Sequence, residues 1–126
     1  MSILTETYQL NNGNEIPKVG FGTWQIPGGQ QTYAAVSAAL KAGYRHIDTA
    51  KAYHNEESVG QAIFDSDVDR ENVFVTSKLP AETKSYDGVI NDFRSTMKAL
   101  DFSYLDLYLI HAPWPWGERG STNYDE

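Results

Sequence analysis

The chain has 126 residues, 40% of them hydrophobic and 13% aromatic, which is the size and apolar content of one domain with a real core and excludes a disordered chain. Its formal net charge is −7 and its ten Lys and Arg are scattered, which argues against a nucleic-acid partner. Cysteine is absent, so disulfides, thiolate metal sites and cysteine nucleophiles are excluded together. The opening MSILTETYQLNNG lacks the basic and apolar regions of a signal peptide. No apolar run approaches the roughly 18 residues of a membrane span, so no membrane association and a cytoplasmic location are expected.

In chain order, the first signal is a turn. Residues 8–10 and 16–18 flank Asn11-Asn12-Gly13-Asn14, and the Asn12-Gly13 pair suits positive φ, so an N-terminal β-hairpin over 8–18 is predicted. VGFGTW (19–24) reads as a strand, and 30–42 as a helix with Tyr33, Val36 and Leu40 on one face, ended by Gly43. YRHID (44–48) is a second strand ending at Asp48, followed by a loop that holds Tyr53 and by a helix over 55–64. Asn55 is placed to cap that helix, and Glu56 and Glu57 suit its positive end. NVFVTSK (72–78) gives a third strand and 86–100 a third helix, with Val89, Ile90, Phe93, Met97 and Leu100 as its core stripe. LDLYLIH (105–111) gives a fourth strand.

Strands alternating with helices predict an α/β fold of parallel β/α units. In such a sheet all C-terminal strand ends lie on one side, where active sites are built. Asp48, Lys78 and His111 end three successive strands, and Tyr53 follows the first of them, so the four are expected to be neighbours. A tyrosine is a weak proton donor at neutral pH, with a reference pKa near ~10. An adjacent ammonium favours the phenolate, and a carboxylate paired with the ammonium keeps it charged. A histidine from the next strand can donate a hydrogen bond to an oxygen on which charge develops. Carbonyl reduction fits this set best, and it needs a hydride source that no side chain provides.

Each residue also has a plainer use. Asp48 alone suits a strand-end turn, Tyr53 a ring packed on the rim, Lys78 a solvated charge and His111 a buried, satisfied histidine beside Leu105, Leu107 and Leu109. His46 shares strand parity with Asp48 and suits a hydrogen bond inside the sheet, while His54 reads as surface. No third ligand stands at suitable spacing, so no metal site is expected. The glycines do not follow G-x-G-x-x-G. HAPWPW (111–116) reads equally as a substrate wall or as a space-filling turn.

GFGTWQ at 20–25, GYRHIDTAKAYHNEESVGQAI at 43–63, TSK at 76–78 and LDLYLIH at 105–111 resemble successive motifs of the aldo-keto reductases. The resemblance covers nearly the whole chain, and its longest segment is highly specific. It implies NADPH-dependent reduction of small aldehydes or ketones on a (β/α)₈ TIM barrel capped by an N-terminal hairpin. It makes Tyr53 the general acid, Asp48 and Lys78 its tuning pair, and His111 the substrate-orienting group. Thr23, Trp24 and Asp48 would border the cofactor, and Trp24, His111 and Trp114 the substrate. Many members have tryptophan after the histidine where this chain has Ala112.

The resemblance also implies that 1–126 is the N-terminal half of such a barrel: a hairpin, four β/α units over 19–111 and a loop over 112–126. The groups that hold the cofactor's nicotinamide amide and phosphates follow later strands of the family's barrel. This half alone is therefore expected to be inactive, and to self-associate or pair with a complementing C-terminal half. A non-catalytic half-barrel is the alternative.

Overall fold

In a computed structural model, residues 2–115 are described. The chain opens with a hairpin of β1 (Thr7–Gln9) and β2 (Glu15–Pro17), antiparallel with Tyr8 opposite Ile16. Gly13 closes its turn at φ 88°, and the Asn12 side chain accepts from the Asn14 backbone N–H at 3.0 Å. Both features fit the Asn-Gly signal.

Four further strands, β3 (Phe21–Gly22), β4 (His46–Asp48), β5 (Phe74–Leu79) and β6 (Leu107–Ile110), form one parallel sheet in chain order. Helices α1 (Gln30–Ala42), α2 (Glu56–Asp65) and α3 (Tyr86–Leu100) occupy the connections. The α/β class with a parallel sheet is as expected, and α1 and α3 have the predicted bounds. Gly43 ends α1 in the left-handed region at φ 109°, where a side chain would be strained.

The strands are shorter than their apolar runs suggest. β3 pairs only Phe21 and Gly22 with Ile47 and Asp48 before the chain turns away at Thr23. Tyr44 and Arg45 precede β4, residues 70–72 form a 3₁₀ turn before β5, and Leu105 and Asp106 precede β6. β5 continues one residue past Lys78, and His111 stands one residue beyond β6. The "strand end" is therefore literal for Asp48 alone.

Alternation along the strands separates two faces. Ile47 and Val75 turn toward the helices and join Val36, Leu40, Val59, Ala62, Ile63, Val73 and Leu100 in the buried core. Asp48, Thr76 and Lys78 alternate to the other face, with Leu107 and Leu109 in register with Thr76 and Lys78 on β6. His46 lies on that face too, and its Nε2 is 2.9 Å from Thr76 Oγ1, the hydrogen bond expected of it.

Two expectations need correction. Of the α3 stripe only Leu100 is fully buried; Val89, Ile90, Phe93 and Met97 are half-buried, because β6 is the outermost strand and covers α3 on one side only. Asn55 occupies the N-cap position of α2 but makes no side-chain cap bond. Glu56 stands in the first turn of α2 as expected, and it is also buried: it is 6% exposed and accepts hydrogen bonds from Ser77 Oγ at 2.8 Å and Thr96 Oγ1 at 3.2 Å. Burial, the largest influence, pushes its carboxyl above the usual range.

Candidate active site

The site grows from the two central strands. Parallel pairing sets Asp48 beside Thr76, which places Lys78 one step further along the same face of β5. The Lys78 ammonium forms an ion pair with the Asp48 carboxylate and donates to the Thr49 carbonyl at 2.9 Å. It also reaches the Tyr53 hydroxyl at 3.4 Å and lies 5.1 Å from the centroid of that ring. The Lys78 side chain keeps only 11% of its accessible surface, so its charge is balanced by a specific partner rather than by bulk water.

Tyr53 is the last residue of a 3₁₀ turn, Lys51–Tyr53, in the β4–α2 connection. The turn is tied down at its start by an ion pair between Lys51 and Asp92 of α3. His54 then takes φ 56° and releases the chain into α2. The imidazole of His111 meets the Tyr53 ring edge-on, with centroids 5.6 Å apart and planes at 77°. Its backbone N–H donates to the Leu79 carbonyl at 3.1 Å, extending the β5–β6 ladder past the strand and fixing where the ring stands. Burial, and then the neighbouring Lys78 charge, hold its pKa below the ordinary histidine value.

Trp24 projects from the turn after β3 with 67% of its surface exposed. Together with Ala52, Tyr53 and His111 it walls an open cavity of about 560 Å³. Thr23 lies fully buried beneath, its backbone N–H and its hydroxyl both donating to the Asp48 carbonyl, at 3.0 and 3.1 Å. The structure thus gathers Asp48, Tyr53, Lys78, His111, Trp24 and Thr23 at one end of the sheet. Trp114 is half-buried beyond β6 and is not among the cavity's walls, and Trp116 lies outside the described residues. A cleft of about 790 Å³ between the hairpin and the other end of the sheet contains none of these groups.

Sequence reasoning missed the support around the site. Asn55 donates to the Thr23 carbonyl at the start of the Trp24 turn and accepts from the Thr49 hydroxyl next to Asp48, and Lys51, in the turn that carries Tyr53, pairs with Asp92 of α3. Only their compression into DTAKAYHNE, between a strand end and a helix start, hinted at this. Among the described residues no group of three or more His, Asp or Glu is arranged to hold a metal ion, and no helix is long and apolar enough to cross a membrane.

The chain that carries this arrangement is similar to known proteins in sequence and in fold. Residues 18–124 match the model of the aldo/keto reductase family. An aldo-keto reductase of Mycolicibacterium smegmatis is 52% identical over 106 residues, which cover 84% of this chain and 38% of the relative. A glycerol 2-dehydrogenase (NADP(+)) of Saccharomyces cerevisiae is 50% identical over 111 residues, covering 88% of this chain and 34% of that one. The crystal structure of an aldo/keto reductase from Brucella melitensis superposes with a TM-score of 0.83 at 49% identity, over 87% of this chain and 43% of that one. The chain therefore spans less than half the length of these relatives, and over that span it belongs to the aldo/keto reductase family.

Proposed function

We propose that this segment carries the proton-donating half of an NADPH-dependent carbonyl reductase, acting on small aldehydes or ketones. The observation that supports this best is the single ammonium of Lys78 shared between the Asp48 carboxylate and the Tyr53 hydroxyl, at the edge of a cavity. A carbonyl carbon that accepts hydride leaves negative charge on oxygen, and Tyr53 delivers the proton that neutralises it. The phenolate left behind faces an ammonium rather than water, which makes proton release less costly. Asp48 keeps that ammonium charged in a half-buried place. His111 is held neutral near pH 7 by burial and by Lys78, so it donates a hydrogen bond to the carbonyl oxygen without competing as the acid.

The residues present fit the reacting end of a nicotinamide cofactor, because the cavity is open and one wall is the exposed indole of Trp24. Trp24, Thr23 and Asp48 would border that ring, and when bound it supplies the hydride. The yeast relative is a glycerol 2-dehydrogenase (NADP(+)), which supports the choice of cofactor. None of the four residues that wall the cavity is a lysine or an arginine, so the phosphates would need residues elsewhere in the whole protein. On this reading the parallel sheet of the described residues, with its hairpin, forms the first four β/α units of a (β/α)₈ barrel and the remaining strands complete it.

Tyr53→Phe tests the assignment in an assembly that completes the barrel and turns over an aldehyde. Turnover should fall by about 100-fold or more with cofactor affinity nearly unchanged, because only the transferable proton is lost. Wild-type turnover in that variant would overturn the assignment. A second reading, a non-catalytic half-barrel that pairs through its edge, draws on the outermost strand β6, where Leu109 is 41% and Ile110 72% exposed.

A further inference from the structure

Asn55 is 2% exposed, and all of its side-chain bonds leave its own helix. Its amide nitrogen donates to the Thr23 carbonyl at 2.8 Å and to the Ile26 carbonyl at 3.1 Å. Its amide oxygen accepts from the Thr49 hydroxyl at 2.9 Å. Thr23 and Ile26 are the first and last residues of a tight turn, closed by the Ile26 N–H donating to the Thr23 carbonyl at 3.2 Å. Trp24 and Gln25 form the tip, and Gln25 is held at φ 64°, a region that non-glycine residues avoid. The far end of the grip is equally specific. Thr49 follows Asp48 directly, and its carbonyl is the one that accepts from the Lys78 ammonium.

From this geometry we infer that Asn55 is a positioning residue: it grips both ends of the turn that presents Trp24 and locks that turn to the strand end bearing Asp48. Asparagine is the side chain this role needs. Two carbonyls 2.8 and 3.1 Å from one nitrogen demand a donor, while the Thr49 hydroxyl demands an acceptor on the same planar group. Ordinary capping is a different use, and the bonds that capping requires are not made here. The consequence is that the Trp24 wall and the Asp48–Lys78–Tyr53 group share one buried polar tie. A change at Asn55 moves the wall against the proton donor without touching either. The step from grip to pocket rests on the proposed reading of the cavity as the carbonyl site.

The test begins with hydrogen exchange on the full chain, followed by mass spectrometry. Asn55→Asp keeps the shape and one acceptor but turns an oxygen toward two carbonyls. Amides in 23–28 should exchange at least ~10-fold faster, while those of α1 and β5 stay within ~2-fold of wild type. Unchanged exchange in 23–28 of a folded Asn55→Asp variant would overturn the inference. If that variant does not fold, Thr49→Val removes only the donor to Asn55. It should accelerate the same segment by ~3-fold, and Thr49→Ser, which restores a hydroxyl, should not. Identical exchange in the Val and Ser variants would then overturn it.

In an assembly that turns over, the folded variant should raise the aldehyde KM by ~10-fold with kcat within ~3-fold, since a wall has moved and the acid has not. A loss confined to kcat would overturn the link to the pocket. Faster exchange in 23–28 combined with an undiminished Tyr53→Phe rate would leave the grip standing and defeat the carbonyl-reductase reading alone.

Discussion

Replacing Gly60 with alanine sets two well-measured effects against each other. Gly60 lies inside α2, where glycine costs about 1 kcal/mol relative to alanine, so at an exposed position the change would stabilise the helix by about that much. Here, however, a Cβ on Gly60 would fall 2.2 Å from the Leu100 carbonyl oxygen and 2.8 Å from both its carbonyl carbon and its Cα. Real Cβ atoms essentially never come within 3.0 Å of another heavy atom. The obstacle is backbone at the end of α3, which no rotamer change can move aside. Helix α2 must shift away from α3, loosening Val59, Ala62, Ile63 and Leu100 in the core. Overpacking of this kind costs about 1–3 kcal/mol, and an immovable backbone puts it toward the upper end.

The net expectation for Gly60→Ala is a loss of about 1–2 kcal/mol, which in a domain of this size is a fall in Tm of roughly 4–8 °C. Urea unfolding followed by circular dichroism should show a lower midpoint with an unchanged slope. Gly60→Ser should do worse, because it adds a hydroxyl to the same contact without alanine's helix propensity. An alanine variant as stable as wild type would refute the reasoning, since it would mean that the two helices part at no cost.

Three further outcomes are expected. Folding raises the Glu56 pKa, so Glu56 contributes stability below the unfolded value of 4.5 that is lost as pH rises through the raised folded value; urea midpoints of wild type should therefore fall relative to Glu56→Gln as pH rises above 4.5, and a constant difference would count against a buried carboxyl. Lys78→Met should lower turnover by about 100-fold and stability by about 1–3 kcal/mol by leaving Asp48 unpaired; adding Asp48→Asn should recover stability but not turnover, and recovery of both would deny the lysine its role beside Tyr53. The free edge of β6 should make the isolated chain self-associate in sedimentation, with Ile110→Lys shifting it toward monomer; a wild-type chain that stays monomeric at every concentration would argue against an adhesive edge.

What the sequence reveals here depends on the range of the interaction. Helices α1 and α3 are legible because their limits are local: a left-handed Gly43 ends the first, as its glycine signals, and the third, expected around 86–100, starts at Ser85, whose hydroxyl accepts from the Gly88 N–H at 3.1 Å. Asp48, Lys78, Tyr53 and His111 could be brought together because parallel strands carry position across the chain. β3 was overestimated because VGFGTW is apolar beyond the point where its partner strand can pair, and apolarity does not report pairing. Asn55 and Glu56 stand at the helix start as expected, but their side chains are engaged by residues distant in sequence, which local spacing does not report: Thr23 and Ile26 for Asn55, Ser77 and Thr96 for Glu56.

These two residues also show how the site is held. Hydrophobic burial fixes the strands and helices, and the core cluster ends at Ile47, Val75 and Val59, on the helix side of the sheet. The groups gathered at the cavity lie beyond it: Asp48 and Lys78 on the other face of the strands, and Trp24 and Tyr53 on turns whose polar backbone cannot be packed in an apolar core without partners. Their positions are therefore set by discrete bonds: Asn55 to the Trp24 turn, Lys51 to Asp92 for the Tyr53 turn, and Glu56 to Ser77 beside Lys78. Bonds of this kind are directional and individually replaceable, whereas core contacts are shared among many neighbours. Substitutions at Lys51 and Glu56 should accordingly change the geometry at Tyr53 and Lys78, and those at Asn55 the place of the Trp24 wall, more than they change global stability, while Gly60 and the core residues should do the reverse. Plotting loss of kcat/KM against loss of stability across both sets should then give two separate groups. A single common line would mean that the site and the core are one cooperative unit, and that the turns have no independent hold on the chemistry.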